Sequence, residues 1–146
     1  MPRYTVAGRS TVTPTNLRAA ASLFSTASQT PILREVGIFN TTNTACAIGL
    51  TEFTNATGVG AALTKVRDDP NNQAISACSA NAGHTADGTV GGVFRQATLG
   101  AAAGAGVIWT FGDRGKSVAL GTANGVGITC PTGTGQVVDY YITWDE

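Results

Sequence analysis

From Tyr4 to Trp144 the sequence is a succession of short β-type runs, each soon broken by Gly, Asn, Pro or Thr. Punctuation at this frequency leaves almost no length for helices and favours many short strands joined by tight turns. The runs are Tyr4 to Ala7, Ile32 to Phe39, Cys46 to Leu50, Leu63 to Arg67, Ala74 to Ser79, Val93 to Leu99, Val107 to Phe111, Ser117 to Leu120, Gly125 to Cys130 and Val137 to Trp144. They predict an all-β fold, an antiparallel β-sandwich or barrel.

Alternation inside the runs predicts which side of each strand is covered. Val137, Asp139, Tyr141 and Thr143 oppose Val138, Tyr140, Ile142 and Trp144, a half-buried pattern. In Ile32 to Phe39, Leu33, Glu35, Gly37 and Phe39 fall on one face and Ile32, Arg34, Val36 and Ile38 on the other. Both faces are largely apolar, so an inner strand is expected, covered on one side by the opposing sheet and on the other by a loop or a neighbour. The Asn/Thr-rich linker Asn40 to Thr44 then predicts a hairpin to Cys46, Ile48 and Leu50. Leu17 to Ala27 is the one helix candidate, with Leu17, Ala20, Ala21, Phe24 and Ala27 at helical spacing. It reads equally as a strand through Ala21, Leu23 and Ser25. Asp68 to Gln73 and Ala80 to Gly92 read as polar loops.

A length of 146 residues suits a single domain, 1–146, with room for one core. Charged residues are only 12% of the chain, and nine Lys+Arg balance nine Asp+Glu. An electrostatically driven nucleic-acid binder is therefore not expected, and no apolar run is long enough for a membrane span. The only lysines are Lys65 and Lys116. Gly, Ala and Thr dominate instead, so the surface loses little side-chain entropy when covered by protein. Cys46, Cys78 and Cys130 have no zinc-type spacing; they read as buried reduced thiols or as one bridge between two strands.

Catalytic chemistry finds little support. His84 is the only histidine, so any Ser-His or Cys-His device must use it, with Ser76, Cys78, Ser79 and Asp87 nearby in sequence. It sits in a loop-like stretch without a nucleophile-elbow pattern, and a surface loop histidine is expected. Asp68, Asp69, Asn71 and Asn72 do not match a calcium loop. Gly115-Lys116-Ser117 lacks the leading Gly of a phosphate loop and runs on as strand. The pairs Gly58/Gly60, Gly104/Gly106, Gly125/Gly127 and Gly133/Gly135 never complete a dinucleotide fingerprint, and read as turn or bulge glycines. Asn40-Thr41-Thr42 and Asn55-Ala56-Thr57 are formal sequons that read as ordinary turns. No enzyme, metal or cofactor is expected.

The first acidic residue is Glu35, so Arg3, Arg9, Arg18 and Arg34 stand unopposed in a Ser/Thr/Ala-rich stretch. Its composition is that of a transit peptide, but Arg3 to Val6 reads as a strand, and the arm is expected to be kept. It could meet the acidic Asp139, Asp145 and Glu146 of the same or a neighbouring subunit. Tyr4 and Val6 would form an edge strand, making residues 1–9 a docking arm. Trp109 with Phe111, and Tyr140, Tyr141 and Trp144, could alternatively stack a sugar or a single strand.

Two regions resemble a known class. Gly106-Val107-Ile108-Trp109-Thr110-Phe111-Gly112-Asp113-Arg114-Gly115, the stretch Val118 to Ile128, Thr132 to Gln136 and the end Tyr140 to Glu146, together with Arg34 to Ala45, resemble small jelly-roll structural proteins of tailed bacteriophages, of the head decoration (capsid cement) type. The likeness covers about half the chain. It implies a jelly-roll-like sandwich, a homotrimer, the major capsid protein as partner, and a place on the virion surface after assembly in the bacterial cytoplasm. It carries over no catalytic residue. The expected contact residues are Arg3, Tyr4, Val6, Arg9, Trp109, Phe111, Asp113, Arg114 and Trp144. A carbohydrate- or receptor-binding module of a tail or fibre is the alternative.

Overall fold

The computed structural model describes residues 1–55, 57–71, 74–133 and 135–146. Among them there is no helix. The strands are β1 (Arg3–Arg9), β2 (Ser22–Phe24), β3 (Ile32–Asn40), β4 (Cys46–Phe53), β5 (Val66–Arg67), β6 (Ser79–Asn81), β7 (Val90–Leu99), β8 (Gly106–Thr110), β9 (Lys116–Ser117), β10 (Gly125–Thr129) and β11 (Val138–Asp145). The first sheet runs β5-β1-β11-β3-β8, with β9 also paired to β3, and the second runs β6-β2-β10-β4-β7. Every pairing is antiparallel. Without the short β5, β6 and β9, the orders β1-β11-β3-β8 and β2-β10-β4-β7 remain. Successive strands alternate between the sheets except from β4 to β7, which are neighbours. Of the sandwich and barrel that the turn-punctuated runs allowed, the chain forms the antiparallel sandwich, with the jelly-roll-like strand order that the resemblance implied.

Strand alternation builds the core. Along β11, Val138, Tyr140, Ile142 and Trp144 are buried. They join Tyr4, Val6, Val36 and Ile38 of the first sheet against Leu23, Ile48, Leu50 and Ile128 of the second. Along β3 the strict two-residue alternation breaks. Thr143 pairs with Glu35 but Trp144 pairs with Leu33, which leaves Arg34 as an extra residue. This bulge puts Leu33 on the core side with Val36 and Ile38, correcting the face assigned to Leu33 by alternation.

Several other expectations are corrected. β3 and β4 lie in different sheets, so Asn40 to Thr44 is a crossover and not a hairpin turn. Asn40 steadies it, its amide donating to the carbonyls of Thr44 (2.7 Å) and Gly100 (2.9 Å). Leu17 to Ala27 yields no helix; Ser22–Phe24 is a wholly buried strand between β6 and β10. Buried on both sides, those residues gain more from sheet pairing than from helical spacing. Leu63 to Arg67 shrinks to Val66–Arg67, and Lys65 Nζ instead bonds the carbonyls of Ser76 (2.7 Å) and Cys78 (2.8 Å). The strand expected over Ala74 to Ser79 begins only at Ser79. The Glu146 carboxylate holds the segment before it, accepting from Ser76 Oγ (2.7 Å) and the Ala77 amide (2.5 Å). Asn72 and Gln73 of the polar loop, Ala56 of the second sequon and Thr134 of the last glycine pair lie outside the described residues.

Cys46, Cys78 and Cys130 are free and buried. Burial, reinforced by the neighbouring Glu146, pushes the Cys78 thiol up to about 12, so it stays protonated at neutral pH.

Candidate interaction surface

The two outer faces of the sandwich differ. On the second sheet, Ser22 and Phe24 of β2, Gly125, Gly127 and Thr129 of β10, and Gly49, Thr51 and Phe53 of β4 are all buried although they point away from the core. Loops cover them. On the first sheet no loop among the described residues covers the corresponding face. Ile108 there is 52% exposed and Val66 61%.

The registers resolve that bare face into cross-strand rows. Thr5, Thr143, Glu35 and Thr110 form a polar row, with the Thr5 and Thr143 hydroxyls 3.1 Å apart. Ala7, Tyr141, Gly37 and Ile108 form the next. Tyr141 lies across Gly37, where a Cβ would meet the ring at 2.1 Å, and its hydroxyl donates to Glu35 Oε1 at 2.5 Å. Burial and this bond push the phenol up to about 12, so it remains a neutral donor. Arg9, Asp139, Phe39 and Gly106 form the third row, Phe39 lying over Gly106 in the same manner. Aromatic rings laid over cross-strand glycines are held in place before any partner arrives.

At the other end of the face, Asp145 accepts from Arg3 Nε (2.7 Å) and Arg34 Nε (2.6 Å). Burial would raise its pKa, but the two guanidinium bonds outweigh burial and hold it below the ordinary carboxylate range. The contribution of Asp145 to stability is therefore complete above the unfolded value near 4 and is lost as the pH falls through the lower folded value. Arg34 also donates to the carbonyls of Gly112 and Asp113. The bulged arginine thus anchors the turn between β8 and β9, where Gly112 and Gly115 have φ of 63° and 66°. Between this turn and the polar row lies an open depression of about 670 Å³, lined by Arg34, Glu35, Thr110, Asp113 and Thr143 among others.

No family model, curated protein or solved structure matches the chain. Its chemistry therefore rests on the geometry. Among the described residues no three His, Cys, Asp or Glu side chains gather as a metal site. Ser22 Oγ lies 2.8 Å from His84 Nε2, and both residues are fully enclosed. The expectation of a surface histidine is thereby corrected: His84 is 1% exposed.

The residues singled out in the sequence divide into three groups. Arg3, Arg9, Asp113 and Arg114 are exposed on or beside the bare face. Arg3 and Arg9 are opposed, by Asp145 and Asp139 of the same chain, as are Arg18 by Asp87 and Arg34 by Asp145. Tyr4, Val6 and Trp144 are core residues at 1%, 1% and 0% exposure, which removes them from any contact surface. β1 is not a free edge either, since it lies between β11 and β5. Trp109 and Phe111 turn toward the core and are half-buried. Phe111 packs on Phe94 at a centroid distance of 6.2 Å beneath the Arg95 guanidinium, closing the gap between the two edge strands β7 and β8. Phe39, Ile108 and Glu35 were missed, Arg34 was singled out only as one of four unopposed arginines, and Tyr141 only as a stacking ring beside Tyr140 and Trp144. Alternation in β11 did mark Tyr141 as outward, but only the register shows that it meets Gly37 and Ile108.

Proposed function

We propose that this chain is a virion structural protein of the head-decoration type, which binds the outer surface of an icosahedral shell through the bare face of its first sheet. The asymmetry between the faces carries the reading: one is sealed by the chain's own loops, while the other presents pre-ordered rings, hydroxyls and the exposed Ile108. Internal Arg–Asp pairing leaves that face with little unbalanced charge, which suits close packing of neutral copies. The resemblance of residues 34–45 and 106–146 to phage decoration proteins supports the same class, with the major capsid protein as partner and a trimer as the assembly.

The carbohydrate-binding alternative relied on Trp109 with Phe111, and on Tyr140, Tyr141 and Trp144, for stacking. Tyr140 and Trp144 are in the core, Trp109 and Phe111 turn toward it, and Tyr141 alone lies on the bare face, flat across Gly37.

Ile108→Asp tests the surface. Its side chain is half exposed, so the variant should fold with stability within about 0.5 kcal/mol of the parent. Binding to shells lacking the native protein should weaken at least about tenfold if Ile108 is central to the contact. Unchanged occupancy would take this face out of the proposal. Light scattering should give a trimer mass, and a single-chain mass would remove the free trimer.

A further inference from the structure

The sealed face of the second sheet contains a second, smaller core. Gly125 and Gly127 of β10 leave room above the sheet for Phe24, Phe53 and Ala19. A Cβ at Gly125 would lie 2.4 Å from the Phe24 ring, and one at Gly127 would lie 2.6 Å from the Ala19 Cβ. Both glycines serve close approach within a strand, where the sequence suggested turns or bulges. His84 closes this cluster, its ring edge-on to Phe53 at 5.1 Å and stacked on Phe24 at 6.2 Å.

Three loop segments, 11–19, 57–62 and 82–89, meet at the cluster. The His84 amide donates to the Ala19 carbonyl (2.9 Å), the Thr85 amide to Gly58 (2.7 Å) and the Gly88 amide to Leu17 (3.0 Å). Within the cluster, His84 Nε2 lies 2.8 Å from Ser22 Oγ, while Nδ1 has no partner. A neutral imidazole tolerates this, since one nitrogen bonds Ser22 and the other buries only a lone pair or a single unmet N–H. An imidazolium has two N–H donors and a charge, and one donor would face hydrocarbon with no acceptor.

No charge on the surrounding elements relieves that cost. Arg18 and Asp87, on the first and third segments, are paired with each other at 2.6 Å and largely exposed. Glu52 precedes Phe53 but pairs with Val126 on the opposite side of β4, where Lys116 holds it at 2.7 Å. β2 and β10 carry no charged residue.

We propose that His84 is an acid-operated latch: neutral, it seals the three loops over the second sheet, and protonated, it is expelled so that they open and uncover Phe24 and Phe53. Burial supports this by lowering the imidazole to about 4 from its ordinary 6.5. The opened form takes up a proton at pH values where the closed form does not. The closed state therefore keeps its full advantage above about pH 6.5 and loses it as the pH falls toward 4. With these two values the opening equilibrium rises about 20-fold between pH 7 and pH 5.

Hydrogen exchange by mass spectrometry on the full chain, corrected for the intrinsic pH dependence of exchange, reads this directly. Protection of segments 57–62 and 82–89 should fall about 20-fold from pH 7 to pH 5 in the parent. It should change less than about twofold in His84→Gln, which keeps a bond to Ser22 but cannot become charged. Equal losses in parent and variant, or no loss in the parent, would overturn the latch. Because His84 is the only histidine, its ring resonance in the parent provides a second reading that does not depend on the variant folding. Titration near 6.5 with the loops still protected would also overturn the proposal.

Discussion

A chain lacking residues 1–9 should fail to fold. β1 makes seven register pairs with β11, from Arg3 with Asp145 to Arg9 with Asp139. It delivers Tyr4 and Val6 to the core at 1% exposure each. Burying two such side chains is worth roughly 3–6 kcal/mol by area alone, and the deletion also strips the hydrogen-bonding edge of β11. With the lost strand pairing added, this takes most of the roughly 5–15 kcal/mol by which a domain is stable. Arg3 and Arg9, with exposed side chains, add little by comparison. Far-UV circular dichroism of the truncated chain should show no cooperative thermal transition. A cooperatively folded remainder that had lost only its shell binding would restore residues 1–9 as a detachable docking arm.

The second large effect is expected at Trp144. Its ring is fully enclosed and stacks on Tyr4 at 5.8 Å, while its Nε1 donates to Glu146 Oε2 at 3.2 Å. Trp144→Ala should cost about 3–5 kcal/mol in urea unfolding, from the lost transfer energy and the cavity left behind. It should also loosen the grip of Glu146 on Ser76 and Ala77. A cost below about 1 kcal/mol, with shell binding abolished, would place the ring at an interface instead of in the core.

The reach of the sequence follows from which interactions are local. Alternation in β11 identified Val138, Tyr140, Ile142 and Trp144 as one face, and the structure buries those four. In β3 the same rule failed at Leu33, because the bulge at Arg34 is set by pairing with residues more than a hundred positions away. The choice between crossover and hairpin after Asn40 is likewise tertiary, since a Thr-rich linker suits either. His84 read as a surface residue because its neighbours Asn81, Thr85 and Asp87 are polar. Its burial depends on Phe24 and Phe53, brought together by pairing to Gly125 from both sides. The bare face of the first sheet was hardest to read for the same reason. Tyr141, Gly37 and Ile108 come from three strands and become one row only once the registers are fixed. The two glycine-flanked residues that the sequence did place on the surface, Asp113 and Arg114, lie at a turn whose position is local.

The central claim is that the bare sheet exists to be covered by a viral shell, and closed shell symmetry would then repeat that contact many times per particle. Quantitative mass spectrometry of virions purified from cells that express this chain, read against the major capsid protein, tests it most directly. The chain should be present in copies comparable in number with the capsid protein, and Ile108→Asp should lower that ratio. Absence from the particle, or only a handful of copies as for a tail component, would contradict the account.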